Sequence, residues 1–405
     1  MRTDTSADLR RINVTRALSA VHLAGGRMSR AELSRELACT RATAAALVGE
    51  LSELGLLREQ DALPTGRRGR PTPSVVPAAG GPAVVVVEVG VRQLRTATAT
   101  IGGGIDDVVK ATPETDSVEA VAMLANDLLS ARRSALGVRC AGVGVAVFGL
   151  VEQSTGLVLE APHLGWQDVD LVSRLRLPSN LPVRVNNVAD LIAIADSARG
   201  VGRGHDTVVY VHSSVGVGGT LVHGGRPLRG RLGVAGEYGH LPLGRAGLPC
   251  RCGSQGCWET EVDQFALVRE VGISTDATRV AAAADGVLRA AEAGDPSALA
   301  AVRRAAAALG RGLASLVGIH DPDLIVLAGH AADLHAQAGD VVHDTLLKHV
   351  LTSHRRRPPP VRSTPLGSNA ALLGAAEELF ALVLADPVEL ARHALPRRQE
   401  RRADA

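Results

Sequence analysis

Lysine is nearly missing from this chain of 405 residues: among 44 lysines and arginines, only Lys110 and Lys348 are lysines. Aromatic side chains are as scarce, with two Trp, two Tyr and three Phe. Alanine, glycine and valine take their place, a bias that GC-rich bacterial coding produces and that carries no mechanism. No uninterrupted run of about 18 apolar residues occurs, so nothing in the sequence is built to span a membrane. Nor does the N-terminus hold the apolar core that a secretion signal needs, which makes the cytoplasm the expected compartment. A net charge of +2 excludes a strongly one-signed protein, so partners have to be read from local charge. Arg67, Arg68 and Arg70 cluster in the N-terminal quarter, and Arg392, Arg397, Arg398, Arg401 and Arg402 in the tail.

Cysteine is the informative scarcity. Three of the five cysteines fall in one stretch, EYGHLPLGRAGLPCRCGSQGCWE, from Glu237 to Glu259. There His240, Cys250, Cys252 and Cys257 supply one imidazole and three thiols, the ligand types that Zn2+ prefers. Gly253 and Gly256 allow the tight turns that bring three sulfurs together. Four protein ligands close a tetrahedron and leave no position for a reactive water. The expected Zn2+ is therefore structural and holds Glu237 and Glu259 in place. A disulfide here would require an oxidising compartment, of which the sequence gives no sign.

The length suits two or three domains. Residues from about 8 to 60 read as short amphipathic helices. Val14, Leu18 and Val21 share a face of the first. Ser29 and Glu32 form a capping-box pair that opens the second, whose Leu33 and Leu37 share a face. Thr40 caps the third, whose Leu47, Leu51 and Leu54 point inward before a stop at Gly55. This is a helix-turn-helix, and the following LLREQDALPTGRRGRPTP reads as a wing with an arginine hairpin. Residues 72–81 have the composition of a linker. Beyond them AVVVVEVG begins a buried strand. AGVGVAVFG, LPVRVNN, TVVYVHSSVGVGGTLV and DLIVLAG read as further strands, with helical patterns over 189–199 and 295–317. The body is therefore α/β.

Taken in order, SRAELSRELACTRATAAALVGELSELGLLRE with GRRGRP, GLVEQSTGLVLEAPHLGW, GGRPLRGRLGVAGEYGH and CRCGSQGCWE resemble the ROK family (repressor, open reading frame, kinase) over nearly the whole chain. The resemblance implies an N-terminal α+β winged helix-turn-helix followed by a two-lobed α/β actin-like body of the sugar-kinase, ribonuclease H-like type, with a hexose cleft between the lobes. The domains so expected are 1–75 for the DNA-binding head with its linker, and 76–195 for the first lobe, joined by a returning helix over 368–386. The second lobe with the zinc loop follows as 196–367, then a disordered basic tail as 387–405. By the same resemblance Asn187, Glu237, His240 and Glu259 contact sugar hydroxyls, with His240 also ligating the metal. A carboxylate suits this task because each oxygen accepts from a hydroxyl. His163, in APHLGW, stands where the family usually has asparagine and alters the donor pattern on one side of the cleft.

Kinases of the family carry V-E-N-D-A-N-A-A-A-L-A-E, whose aspartate takes the proton of the attacking sugar hydroxyl. VNNVADLIAIAD, from Val185 to Asp196, aligns with it without a gap and puts Val188 at that position. An isopropyl group accepts no proton, and general-base help of this kind is worth roughly 10²- to 10⁴-fold in rate. Asp190 lies two residues on, where only a rearranged turn would let it substitute. The phosphate-holding elements differ in parallel: EVGVR (Glu88 to Arg92) replaces D-I-G-G-T, SVGVG (Ser214 to Gly218) replaces G-T-G-I-G, and Ala328 with Gly329 replaces a glycine pair. The expected function is that of a transcriptional regulator, a repressor of carbohydrate-related genes, which senses a sugar or sugar derivative in a catalytically inactive kinase cleft. The alternative is an ATP-dependent carbohydrate kinase with an appended DNA-binding domain.

A recognition helix enters the major groove by its N-terminal side chains, so Thr40, Arg41 and Thr43 are the candidate contacts there. Arg67, Arg68 and Arg70 are candidates for phosphate or minor-groove contact. One winged domain covers little DNA. A homodimer or a dimer of dimers on a near-palindromic operator is therefore expected.

Overall fold

The computed structural model describes residues 6–60 and 73–394. Its N-terminal head consists of α1 (Ser6–Leu23), β1 (Met28–Ser29), α2 (Arg30–Glu36), α3 (Arg41–Glu53), β2 (Leu57–Gln60) and β3 (Ser74–Pro77), the strands forming an antiparallel sheet of order β1-β3-β2. The capping box forms: Ser29 Oγ accepts from the Glu32 amide at 3.2 Å and the Glu32 carboxylate accepts from the Ser29 amide at 2.7 Å. Val14, Leu18, Val21, Leu33, Leu37, Leu47 and Leu51 are buried together. Val75 and Val76 are buried in β3, so the head runs on to Pro77. The boundary expected at 75 falls inside a strand, and the linker expected over 72–81 is displaced toward residues 78–82. Burying two β-branched residues outweighs the Pro and Ala content around them.

The first lobe is built on β4 (Ala83–Gly90), β5 (Gln93–Thr100), β6 (Ile105–Ala111), β7 (Cys140–Val147) and β11 (Val183–Asn187), in the order β11-β7-β4-β5-β6. Helix α4 (Val118–Leu136) covers one face through Val121, Ala125 and Leu129. Between β7 and β11 the chain makes a small sheet of β8 (Leu150–Glu152), β9 (Leu157–Ala161) and β10 (Trp166–Val169), then the short α5 (Leu171–Arg174). Helix α6 (Val188–Arg199) follows β11 directly. Covering both faces explains why Val84 to Val87 and Val89 are all buried and show no alternation.

The second lobe repeats the plan with β12 (Thr207–Ser213), β13 (Val217–His223), β14 (Arg226–Pro227), β15 (Leu324–Gly329) and β16 (Val361–Ser363), in the order β14-β13-β12-β15-β16. The run TVVYVHSSVGVGGTLV, which reads as one strand, folds back as β12 and β13, with the Ser214 amide bonded to the Gly216 carbonyl. Helices α7 (Glu259–Val262), α8 (Gln264–Glu270), α9 (Val280–Glu292), α10 (Pro296–His320), α11 (His330–His349) and α12 (Thr352–Arg356) complete it. Helix α13 (Ala370–Val383) then returns to pack on β7, β4 and α6 of the first lobe. The tail is not wholly without order: α14 (Pro387–Ala394) buries Leu390 and Ala394. A charge-weighted reading of this stretch overlooks its apolar face. Residues 395–405, with Arg397, Arg398, Arg401 and Arg402, lie outside the described residues.

Candidate ligand cleft and metal centre

The cysteine loop hangs between β14 and α7, pinned by backbone bonds from Gly244 to Gly256, Gly256 to Leu248 and Cys250 to Ser254. Gly253 and Gly256 take left-handed φ values of 88° and 73°, as the turns require. His240 Nδ1 lies 3.7 Å from Cys250 Sγ, and Cys252 Sγ lies 3.7 Å from Cys257 Sγ. One donor atom from each of the four residues sits within 4.8 Å of every other. A tetrahedron with metal–sulfur bonds of about 2.3 Å has edges of about 3.8 Å, so the cluster fits a four-coordinate metal ion. Cys250 Sγ donates to Glu259 Oε1 at 2.8 Å, and burial together with this carboxylate pushes the thiol's pKa up. A bound cation would take the proton's place there. The other imidazole nitrogen of His240, Nε2, faces Glu237 Oε2 at 3.8 Å.

That ring leads into a cavity of about 150 Å³ between the lobes, to which Asn187, Glu237, His240 and Glu259 all contribute, with His163, Glu160, Gly216 and Arg251. The residues that resemblance assigned to the sugar thus meet in one place. Glu259 is buried and its Oε2 accepts from the Val217 amide at 3.3 Å. Burial, and then the charges of Asp190, Glu259 and Glu160, push the pKa of Glu237 up to about 7. Asn187 caps α6. Its Oδ1 accepts from the Ala189 amide at 2.7 Å and its Nδ2 donates to the Gly149 carbonyl at 2.6 Å. One N–H and one lone pair remain for a ligand.

His163 has a defined role in this geometry. Arg251 can only donate, and its Nη1 lies 2.8 Å from His163 Nδ1, so the ring proton sits on Nε2. Burial, aided by Arg251, lowers the pKa of His163 to about 4 and keeps the ring neutral. A Cβ on Gly216 would stand 3.0 Å from both His163 Nε2 and Glu259 Oε2. The glycine therefore makes room for the cleft side chains as well as for backbone packing.

Val188 is 3% exposed and lines this cavity and a second one of about 370 Å³ bounded by Glu88, Phe148, His212, Gly329, Asp333 and Thr364. On that side Glu88 is held by Arg95 at 3.1 Å, and Arg95 also donates to the Ser368 carbonyl at 2.6 Å and to Asn369. Asp190 borders neither cavity. It is ion-paired with Arg229, and burial pushes its pKa up to about 6. Sequence reasoning missed Arg229 as a site-shaping residue, although it lies within the quoted GGRPLRG. It also missed Glu160 and Arg251, which only the folded chain brings to the cleft.

At the head, Thr40, Arg41 and Thr43 come together at the exposed start of α3. The two threonine hydroxyls lie 2.9 Å apart and Thr40 Oγ1 accepts from the Thr43 amide at 3.1 Å. Arg41 points free of such capping work. Arg67, Arg68 and Arg70 lie outside the described residues. Among the described residues no helix is long and apolar enough to cross a membrane.

The sequence pattern of the ROK family matches residues 84–381. A glucokinase from Streptomyces coelicolor is 31% identical over 309 residues, covering 72% of this chain and 95% of that protein. The xylose repressor of Bacillus subtilis is 27% identical over 233 residues, 58% of this chain and 59% of the repressor. Among solved structures, a ROK family transcriptional regulator homologous to the E. coli MLC protein superposes with a TM-score of 0.74 at 23% identity, covering 95% of this chain and 99% of that one. With a family match over most of its length and two actin-like lobes around a shared cleft, the chain belongs to the ROK family.

Proposed function

We propose that this protein is a sequence-specific DNA-binding transcriptional regulator, a repressor of carbohydrate-related genes, which senses a sugar or sugar derivative in a kinase-type cleft that does not phosphorylate it. The observation that carries this reading is Val188, buried between the two cavities where family kinases have aspartate. Asp190, the carboxylate two residues on, is engaged by Arg229 instead. Binding and chemistry are separable: hydroxyl recognition needs only fixed donors and acceptors, whereas phosphoryl transfer also needs a base and a phosphate cradle.

The head supports the DNA-binding half of the reading. Its three helices and three-stranded antiparallel sheet are compatible with a winged helix-turn-helix, with Arg41 exposed at the start of α3. Thr40, Arg41 and Thr43 would meet the major groove, and Arg67, Arg68 and Arg70 the phosphates. Zn2+ on His240, Cys250, Cys252 and Cys257 is structural and fixes the rim of the cleft, and the working unit in the cytoplasm is a homodimer or a dimer of dimers on a near-palindromic operator. The kinase reading keeps one point in its favour, the 31% identity to a glucokinase.

One experiment tests both. Genomic fragments selected on the purified, zinc-loaded protein are retested by gel shift with D-glucose and D-xylose, while ATP turnover is followed on the same sugars. A palindromic site beside carbohydrate genes, with sugar-dependent affinity and no turnover, is the expected result. ATP turnover without any specific site would establish the enzyme.

A further inference from the structure

The head is not tethered by its linker alone. His22, near the end of α1, is 3% exposed and inserted into the first lobe, 355 residues from Glu377 in sequence. Its Nε2 lies 3.0 Å from Glu377 Oε2, its Nδ1 accepts from the Gly102 amide at 2.9 Å, and its ring packs 4.7 Å from that of Phe380. Arg199 closes the set, its Nε donating to Glu377 Oε1 at 2.6 Å and its Nη2 reaching the His22 carbonyl at 3.2 Å. Because the Gly102 N–H can only donate, the imidazole proton sits on Nε2, which lies between Glu377 Oε2 and Arg199 Nη2, each 3.0 Å away. Every polar atom of the buried imidazole is thereby satisfied.

Of the two lobe residues that hold His22, Arg199 ends a helix that begins at the cleft, and Glu377 lies midway along α13. Arg199 is the last residue of α6, whose N-cap is Asn187. Glu377 is followed on α13 by Glu378, which accepts from Asn186 Nδ2 at 3.0 Å and sits 3.8 Å from Arg229. The Asn187 amide in turn donates to Asn186 Oδ1 at 2.8 Å. Helices α6 and α13 pack tightly along their length through Leu191, Leu372, Ala375 and Ala376. Helix α6 therefore touches the ligand cavity at its start and the head at its end, and α13, packed on it, contacts both His22 and the Asn186 turn from its middle.

We propose that His22 is a latch through which the state of the cleft sets the position of the DNA-binding head, with α6 and α13 as the relay and Arg199 and Glu377 as positioning residues. This rests on the reading of the cleft as an effector site. A ligand that engages the free N–H of Asn187, or moves the turn at Asn186, biases the α6–α13 pair, and the pair alters the fit around His22. Such a latch would let a head joined by a few residues respond to events in a cavity it does not line. Coupling of this kind requires a physical element with two arrangements that both sites bias.

Amide hydrogen exchange on the full chain decides it. In His22→Ala, exchange at the end of α1 and at residues 101–104 is expected to quicken at least tenfold, together with residues 183–190 at the cleft. Leu51→Ala, which opens the head's own core, is expected to quicken exchange in α2 and α3 and leave 183–190 unchanged. His22→Gln, whose amide still reaches Glu377, should fall between wild type and His22→Ala, and it replaces the alanine variant if that head unfolds. A response confined to the head and residues 101–104, or an equal response of 183–190 to Leu51→Ala, overturns the latch. Calorimetry with D-glucose and D-xylose on the wild type is run in parallel. No heat from either counts against the effector reading alone, because the exchange comparison needs no sugar.

Discussion

On one side of Val188, the carboxylates and imidazoles of Glu160, His163, Glu237, His240 and Glu259 face a cavity of about 150 Å³. On the other side a larger cavity, about 370 Å³, presents Glu88 locked to Arg95, and between the two stand a half-buried neutral His212, its pKa lowered to about 4, and Val188 at the position of the family kinases' aspartate. The polar groups of the first side have partners that orient them and leave capacity for a ligand. On the second, Glu88 is taken up by Arg95 and Thr364 by Asp196. By family plan recognition and catalysis share this cleft, and the proposed function would require that the second be lost while the first is kept.

The comparison breaks most violently at the metal loop. Cys257→Ser, or prolonged chelation, should remove stoichiometric zinc, abolish calorimetric sugar binding and lower the unfolding temperature by about 10 °C, since structural zinc carries several kcal/mol of folding energy. Metal analysis beside a thermal melt checks this, and retention of binding without metal would unlink the loop from the cleft. Next in size is Val188→Asp. An unpaired carboxylate buried there should destabilise by about 3 kcal/mol, read from urea unfolding. ATP turnover on glucose should stay within tenfold of background, because Glu88 remains tied to Arg95. A true gain of kinase activity would mean that the side of the larger cavity, the nucleotide side of a family kinase, where Glu88 and Gly329 stand in the phosphate-holding patterns, is more intact than its ion pair implies.

Glu259→Gln sharpens the contrast from the sugar side. Replacing a charged acceptor by a neutral amide should weaken sugar binding roughly 10- to 100-fold, whereas Asp333→Ala on the nucleotide side should change it less than about twofold. Equal losses in isothermal titration would erase the distinction between the sides. The smallest effect is a pH dependence at Asp190. Its pKa rises from 3.8 to about 6 in the folded chain, so the native state takes up a proton that the unfolded state lacks between those values. Stability from this group therefore falls as pH rises through that window. The drop in melting temperature from pH 4 to pH 7 should shrink by a few degrees in Asp190→Asn, and an unchanged drop would assign the effect to other carboxylates.

Much of this was written locally in the chain. The capping box at Ser29 and Glu32 and the four metal donors are short-range signals, because one side chain reaches a backbone or a sulfur a few residues away. Val188 was legible through an ungapped family pattern. The strand Ser74–Pro77 was not, because three residues between prolines carry no periodicity until a sheet covers them. Nor was the Asp190–Arg229 pair, which joins residues 39 apart, or the His22 contact, whose partners lie 80, 177 and 355 residues away. A lone histidine at the end of a helix reads as ordinary until the lobe closes around it.

Gly102 meets Gly26 of the head main chain to main chain: a Cβ on Gly102 would stand 2.7 Å from Gly26 Cα. A junction made of two bare backbones has no side chains to adjust when one partner is exchanged. The head is accordingly not an interchangeable cassette. A chimaera that fuses a foreign DNA-reading domain at the linker would bring a side chain to this seam unless the glycine travels with it, and would then read its own operator while ignoring the body beneath.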